Sequence, residues 1–286
     1  PNGVYRTENR ERIADLNTIP SAYLTGLFDE FGSVRSSAII ETNRGCPYGC
    51  TFCDWGSATL SKVRKFDLER VFAELEWSAK HRIEDASIAD ANFGMLERDV
   101  AITQKIADLR QVYGFPNTVG INYAKNQVKY LRDIIKILAD VGILTEGKIS
   151  LQSMDETTLK VIDRANIKLS KYNELATEFR RADLPPGVEL MMGLPGSTPA
   201  ALRNDLQDCT NRDVRVQLNP TQLLPNSPMN EPNYRKKHEI IAKPGNFVQE
   251  CSTYSRDEWD AMWKLRSAYA LFDTYGIVRY VARYIR

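Results

Sequence analysis

The chain has 286 residues, with 38 basic and 37 acidic side chains and a net charge of +1, and that length can build one large domain or two ordinary ones around a real core. A near-neutral balance gives no global field for nucleic acid or an anionic membrane, and 43% hydrophobic with 26% charged residues excludes disordered and collagen-like classes. Apolar runs such as Val188 to Leu194 stop well short of the ~20 residues that span a bilayer, and no signal segment opens the chain. A cytoplasmic location without nucleic-acid or membrane partners is expected.

Residues 1–35, interrupted by Thr18, Pro20, Gly26 and Gly32, predict a lead-in with about one helical turn. Ser36 to Thr42 (SSAIIET) then predicts a short buried strand, and Asp67 to Lys80 a helix with Asp67 as N-cap and Val71, Phe72, Leu75 and Trp77 at helical spacing. The alternation continues with strands over Asp85–Ala91, Thr118–Asn122, Lys148–Gln152, Val188–Met192 and Val214–Leu218. Helices are predicted over Arg98–Tyr113, Gln127–Val141, Asp155–Ala165, Ser170–Ala182 and Pro199–Cys209. Six βα units call for a parallel sheet with right-handed crossovers, and a full eight-unit barrel is not visible. After Asn219, Pro220, Pro225, Pro228, Pro232 and Pro244 predict loops, followed by an amphipathic helix over Arg256–Tyr275. The clusters Lys62–Lys65 and Arg235–Lys237 read as solvated faces. The start at Pro1 and the stop at Arg286 inside a periodic segment are expected of part of a longer polypeptide.

The stretch RGCPYGCTFCDWG (residues 44–56) holds Cys46, Cys50 and Cys53 in C-x3-C-x2-C spacing, while Cys209 and Cys251 stand apart. Three thiolates so spaced on a loop leaving a strand can converge on one soft metal centre. A structural zinc site needs a fourth Cys or His, and His81 and His238 are both remote in sequence. A [4Fe-4S] cubane on three cysteines leaves one iron open, which implies reactivity. Cys209 and Cys251 read most simply as buried or incidental thiols.

With aromatic Phe52 just before Cys53, after the first strand of a repeated βα sheet, this loop resembles the radical S-adenosylmethionine (SAM) superfamily. The resemblance implies an α/β fold, a partial (β/α)6 TIM-like barrel with a C-terminal helical extension, divided as a lead-in (1–35), core (36–225) and extension (226–286). It implies that Cys46, Cys50 and Cys53 hold the cluster and that the SAM amino and carboxylate groups chelate the fourth iron. One electron then cleaves the C–S bond to give methionine and a 5′-deoxyadenosyl radical. It further implies that Phe52 packs near the adenine, that Asp90 or Asn92 in ADANFG meets the methionine amino group, and that Gln152 and Ser153 in SLQSMDETTLKVIDR meet the ribose or carboxylate. Asn122 is a further candidate, and Met191 in MMGLPGST lies near the base. Each has a plainer alternative: strand-end capping for Asp90 and Asn92, a turn and helix cap for Gln152 and Ser153, core packing for Met191. Phe52 could equally pack the loop, and Trp55 could cover the cluster.

A closer likeness is to radical SAM enzymes that carry an N-terminal cobalamin-binding domain, on RGCPYGCTFCDWG, ADANFG, LQSMDE, GLPGST and LLPNSPM together. It implies cobalamin-dependent methylation of an unactivated carbon in a small-molecule or peptide substrate, with an electron donor such as flavodoxin or ferredoxin. No D-x-H-x-x-G cobalamin motif occurs here, since His81 lies in AKHRIED and His238 in KKHEIIA, so a cobalamin domain is expected upstream of Pro1. The alternatives are a cobalamin-independent epimerase, rearrangement or sulfur-insertion enzyme, a zinc-stabilised binding module, and a ferredoxin.

Overall fold

Alternation of exposed Ser37 and Ile39 with buried Ala38 and Ile40 makes the first strand, β1 (Ser37–Ile40), a ribbon with one face in the core. The computed structural model describes residues 7–8, 11, 13–29, 37–57, 63–124, 129–143, 145, 147–181, 183–184, 186–243 and 245–284. A two-residue antiparallel pair, β2 (Asn43–Arg44) with β3 (Arg64–Lys65), brackets the cysteine loop and its single helical turn α1 (Asp54–Ser57). There follow α2 (Leu68–Lys80), β4 (Asp85–Phe93), α3 (Arg98–Tyr113), β5 (Thr118–Tyr123), α4 (Leu131–Asp140), β6 (Gly147–Gln152), α5 (Glu156–Val161), α6 (Leu169–Arg181), β7 (Pro186–Met192), α7 (Pro199–Asn211) and β8 (Arg215–Pro220).

The six strands of the βα units are parallel and fall into two three-stranded sheets, ordered β1-β4-β5 and β6-β7-β8. β5 and β6 touch, but no ladder joins them among the described residues. The result is an open α/β arrangement, a partial TIM-like barrel. Ile88 and Val119 of the first sheet and Ile149, Val188 and Val216 of the second are fully buried; α2, α3 and α4 pack side by side, and α6 and α7 contact β7 and β8. Apolar burial of this kind contributes about 1.5–3 kcal/mol per large side chain. The opposite faces are mixed: Ser87, Thr118, Asn122, Thr145 and Lys148, with Val119, Gly120 and Ile121, line a cavity of about 460 Å³. Along the second sheet Lys148 donates to Gln217 at 3.0 Å and pairs with Glu189 at 3.5 Å.

Several local expectations shift. Asp67 stands at the α2 N-cap position without a capping side-chain bond. The helix predicted from Gln127 starts at Leu131, with residues 125–128 outside the described set, and the one predicted to Ala165 ends at Val161. Pro228 and Pro232 start helices, a 3-10 turn (Pro228–Asn230) and α8 (Pro232–Lys237), because the first helical position needs no N–H. The loop expected around Pro244 contains a hairpin, β9 (Ile241–Lys243) and β10 (Phe247–Glu250), turning through Gly245 and Asn246 at φ +90° and +59°. The final helix is α only over Arg256–Tyr269 (α9), opening on a Ser255–Glu258 capping box. It widens to a π turn over Ala270–Thr274, where the Thr274 hydroxyl donates to Val216 O at 2.6 Å, and α10 (Arg279–Tyr284) follows.

This C-terminal segment folds back on the second sheet: Tyr254 donates to Gly193 O at 2.7 Å and Arg266 to Leu218 O at 2.7 Å. The GLPG turn between them is built for glycine. At Gly196, φ is +89° and a Cβ would lie 2.8 Å from Val161 Cγ2, so any side chain meets both backbone strain and a clash with the end of α5.

Candidate active site

The cysteine loop leaves β1 at the C-terminal edge of the first sheet and is pinned from three sides. From β4, Asp90 accepts bonds from Thr42 N (2.8 Å), Asn43 N (3.1 Å), Asn43 Nδ2 (2.6 Å) and the Thr42 hydroxyl. Beyond α5, Ile162 O accepts from Thr51 N at 3.0 Å. From the C-terminal extension, Met229 N donates to Thr51 O at 2.8 Å, and the Tyr234 hydroxyl lies 3.2 Å from Thr51 Oγ1 while donating to Val161 O at 2.9 Å. Residues distant in sequence thus fix the backbone that carries the thiols.

Cys46 and Cys50 are each 8% exposed and Cys53 is half-buried; all are free thiols. Side-chain donors approach two of the sulfurs. Asn92 Nδ2 donates to Cys46 Sγ at 3.2 Å, and Arg164 Nη1 to Cys50 Sγ at 3.7 Å. Arg164 is held in turn by Ser150 O and by Asn166 Oδ1 at 3.0 Å. The sequence reading passes over Arg164 although it ends the quoted stretch SLQSMDETTLKVIDR; its spacing carries no sign that it reaches back to residue 50.

The donor set fits an iron–sulfur cubane. Three soft thiols stand on one anchored loop, and Asn92, whose Nδ2 donates to Cys46 Sγ, keeps its Oδ1 buried without a hydrogen-bond partner, an acceptor with nothing in the protein to accept from. Among the described residues no three His, Cys, Asp or Glu side chains gather tightly enough for a single ion.

The other sequence-predicted residues end up in distinct settings. Asn122 lines the cavity of about 460 Å³ and donates to Asp90 O at 3.5 Å. Gln152 is buried at the end of β6 with φ +68°, where the register with β7 shifts. Ser153 turns away, donating to Asp205 of α7 at 2.8 Å and accepting from Asp155 N at 3.1 Å; Asp155 caps α5. Met191 is half-buried opposite Asn219 of β8, and Phe52 sits in the main hydrophobic cluster at 9% exposure. Trp55 is 46% exposed. Burial pushes the Cys209 thiol up to about 12, which keeps it protonated and inert.

Burial also raises Asp90 from 3.8 to about 6, against the bonds from Thr42 and Asn43, and raises Asp205 from 3.8 to about 6 against those from Ser153 and Met154. A carboxyl with a raised folded-state pKa binds its proton more tightly when folded, so the stability it adds is complete below 3.8 and lost as pH rises through 6. Each group should therefore add roughly 1 kcal/mol on going from about pH 8 to about pH 5.5. Urea titrations at the two pH values should give a higher midpoint at the lower one, with the difference reduced in Asp205→Asn; an unchanged difference sinks the assignment.

Comparison with known proteins decides the family. Residues 40–209 match the model of the Radical SAM superfamily. The chain belongs to the radical SAM superfamily. The matched region contains every residue of the site just described except the clamps from Met229 and Tyr234. Like other radical SAM enzymes, it uses a [4Fe-4S] cluster and SAM. It is 36% identical over 305 residues to a 2-(S-pantetheinyl)-carbapenam-3-carboxylate methyltransferase of Streptantibioticus cattleyicolor, and 35% identical to the cobalamin-dependent radical SAM methyltransferase TokK of Streptomyces tokunonensis. Each alignment covers 96% of this chain and 44% of the relative, so the chain spans less than half the length of either. The structure of the radical SAM methyltransferase TsrM of Kitasatospora setae, with cobalamin and a [4Fe-4S] cluster bound, superposes with a TM-score of 0.61 at 18% identity, covering 80% of this chain and 44% of that one; this is a likeness of fold.

Proposed function

We propose that this chain is the radical-generating core of a cobalamin-dependent methyltransferase acting on an unactivated carbon of a small molecule. The observation that carries the reading is the anchored three-thiol loop in a chain 36% identical to a methyltransferase along 96% of its length. When bound, the cluster and SAM supply one-electron reduction and hydrogen abstraction, and cobalamin supplies the methyl group.

The chain's own residues do the positioning. Cys46, Cys50 and Cys53 hold the cluster, and Asp90 fixes the loop by holding Thr42 and Asn43. Asn92 Oδ1, unpartnered in the protein, accepts from the ammonium group of SAM. Gln152 and Asn122 offer polar groups to the ribose and carboxylate, while Met191 and Phe52 pack toward the adenine. Ser153, already bonded to Asp205, supports this set from behind. The cavity of about 460 Å³ that Asn122 lines has the size for a small substrate and a wall of mixed polar and apolar groups.

The proposed division runs at residues 35 and 225, with the extension from 226 acting as a clamp on the cysteine loop. No helix among the described residues is long and apolar enough to cross a membrane. A reducing cytoplasm suits the five free cysteines, and a flavodoxin or ferredoxin is the proposed electron donor.

The test uses the full-length protein, reconstituted anaerobically with iron and sulfide and given a low-potential reductant, cobalamin and methyl-labelled SAM. Labelled methylcobalamin and S-adenosylhomocysteine should form alongside 5′-deoxyadenosine. Formation of 5′-deoxyadenosine alone, with or without cobalamin, would overturn methyl transfer and leave a cobalamin-independent radical reaction.

A further inference from the structure

We propose that Arg164 and Asn92 set the reduction potential of the cluster, as N–H donors fixed against two of its three cysteine sulfurs. The two donors come from different elements, one at the end of β4 and one after α5, and neither is proposed as a ligand. Asn92 stands at the end of β4, 3% exposed, with Nδ2 3.2 Å from Cys46 Sγ. Arg164 follows α5, with Nη1 3.7 Å from Cys50 Sγ. Among the described residues no side-chain donor approaches Cys53 Sγ.

What distinguishes Arg164 from a surface cation is how its fork is used. One edge is fixed by Ser150 O of β6 and by Asn166 Oδ1, and Asn166 is itself tied to Ser153 O at 2.8 Å. The remaining Nη1 is thereby aimed at the sulfur before any cluster arrives, and lysine could not reproduce this three-way arrangement. The partner sulfur is buried, so charge and hydrogen bond act with little screening from water.

The oxidised cluster gains one negative charge when it takes an electron from the external donor, and part of that charge resides on the thiolate sulfurs. Donors to those sulfurs, one of them cationic, stabilise the reduced form more than the oxidised form and raise the potential. Arg164 contributes the larger part because it brings a full charge. Asn92 has a second duty under the proposed function, its Oδ1 facing the SAM ammonium, so the two roles must be read separately.

The experiment is an equilibrium redox titration of the full-length, anaerobically reconstituted protein without SAM, followed by the EPR signal of the reduced cluster and normalised to iron and acid-labile sulfide. Arg164→Met should lower the ratio of reduced to oxidised cluster at a fixed poise at least tenfold, which corresponds to a midpoint about 59 mV more negative for one electron. Asn92→Leu should shift it in the same direction by less, and Arg164→Lys should fall between wild type and Arg164→Met. Arg132→Gln, which breaks only an exposed pair with Glu174, should leave the midpoint alone.

Equal midpoints in wild type, Arg164→Met and Asn92→Leu at equal iron loading would overturn the proposal and reduce both residues to loop supports. If Arg164→Met fails to load, Arg164→Lys and Asn92→Leu decide by the same reading; loss of loading in all three also overturns it. A wild-type protein that takes up no iron fails at the cluster itself, a separate and visible outcome.

Discussion

Cys50→Ala is expected to abolish cluster assembly, with iron and acid-labile sulfide falling to background and no 5′-deoxyadenosine formed from SAM. The thiol is 8% exposed on a loop held by Asp90, Ile162 and Met229, and no other cysteine can substitute. Cys209 is buried within α7 beside Asp205, and Cys251 is engaged with Thr253 at 3.3 Å. Accordingly Cys209→Ala and Cys251→Ala should load iron like the wild type. Truncating a small buried thiol costs little packing, so Cys50→Ala should keep its fold, measured by far-ultraviolet circular dichroism, while losing the metal. An Ala variant that still binds iron and cleaves SAM would end the ligand assignment. The ferredoxin alternative separates in the same samples: there Cys46→Ser would lose electron transfer but leave SAM binding untouched. The zinc alternative predicts zinc without sulfide in the wild type.

What could be read from the sequence was what is local. The strands expected over Ser36–Thr42, Asp85–Ala91 and Val188–Met192 fall on Ser37–Ile40, Asp85–Phe93 and Pro186–Met192, and the helix expected over Arg98–Tyr113 begins and ends there. The three cysteines lie within eight residues and need no tertiary information. By contrast, the gap between β5 and β6 depends on how two sheets meet, and the β9–β10 hairpin was hidden because Pro244 suppressed the strand reading although Pro-Gly-Asn is turn chemistry. Arg164 approaches a sulfur 114 positions earlier in the chain, and Asn92 one 46 positions earlier; no spacing rule encodes such contacts. Asp90 shows the same limit from the other side. Its place at a strand end suggested ligand contact, but only the fold reveals that its oxygens are already taken by Thr42 and Asn43.

Asp90→Ala is accordingly expected to cost stability on the order of 3 kcal/mol and to loosen the cluster. Two backbone N–H groups, the Asn43 amide and the Thr42 hydroxyl lose their acceptor in a place where Thr42 is 0% and Asn43 4% exposed. A buried unsatisfied donor costs about 1–3 kcal/mol. The sum is offset in part because the substitution also removes a carboxylate whose pKa burial has raised to about 6. Asp90→Asn keeps one acceptor oxygen for the two backbone donors and should recover most of the loss. Denaturant titration under anaerobic conditions gives the stability, and the rate of iron loss to a chelator gives the state of the loop. Both should worsen in the order wild type, Asn, Ala, because Thr42 and Asn43 lead directly into Cys46. If Asp90 instead met the SAM amino group, both variants would lose SAM affinity with stability and iron retention unchanged. That outcome would return Asp90 to the ligand-contacting role suggested by its strand-end position and leave Asn92 Oδ1 without its proposed partner.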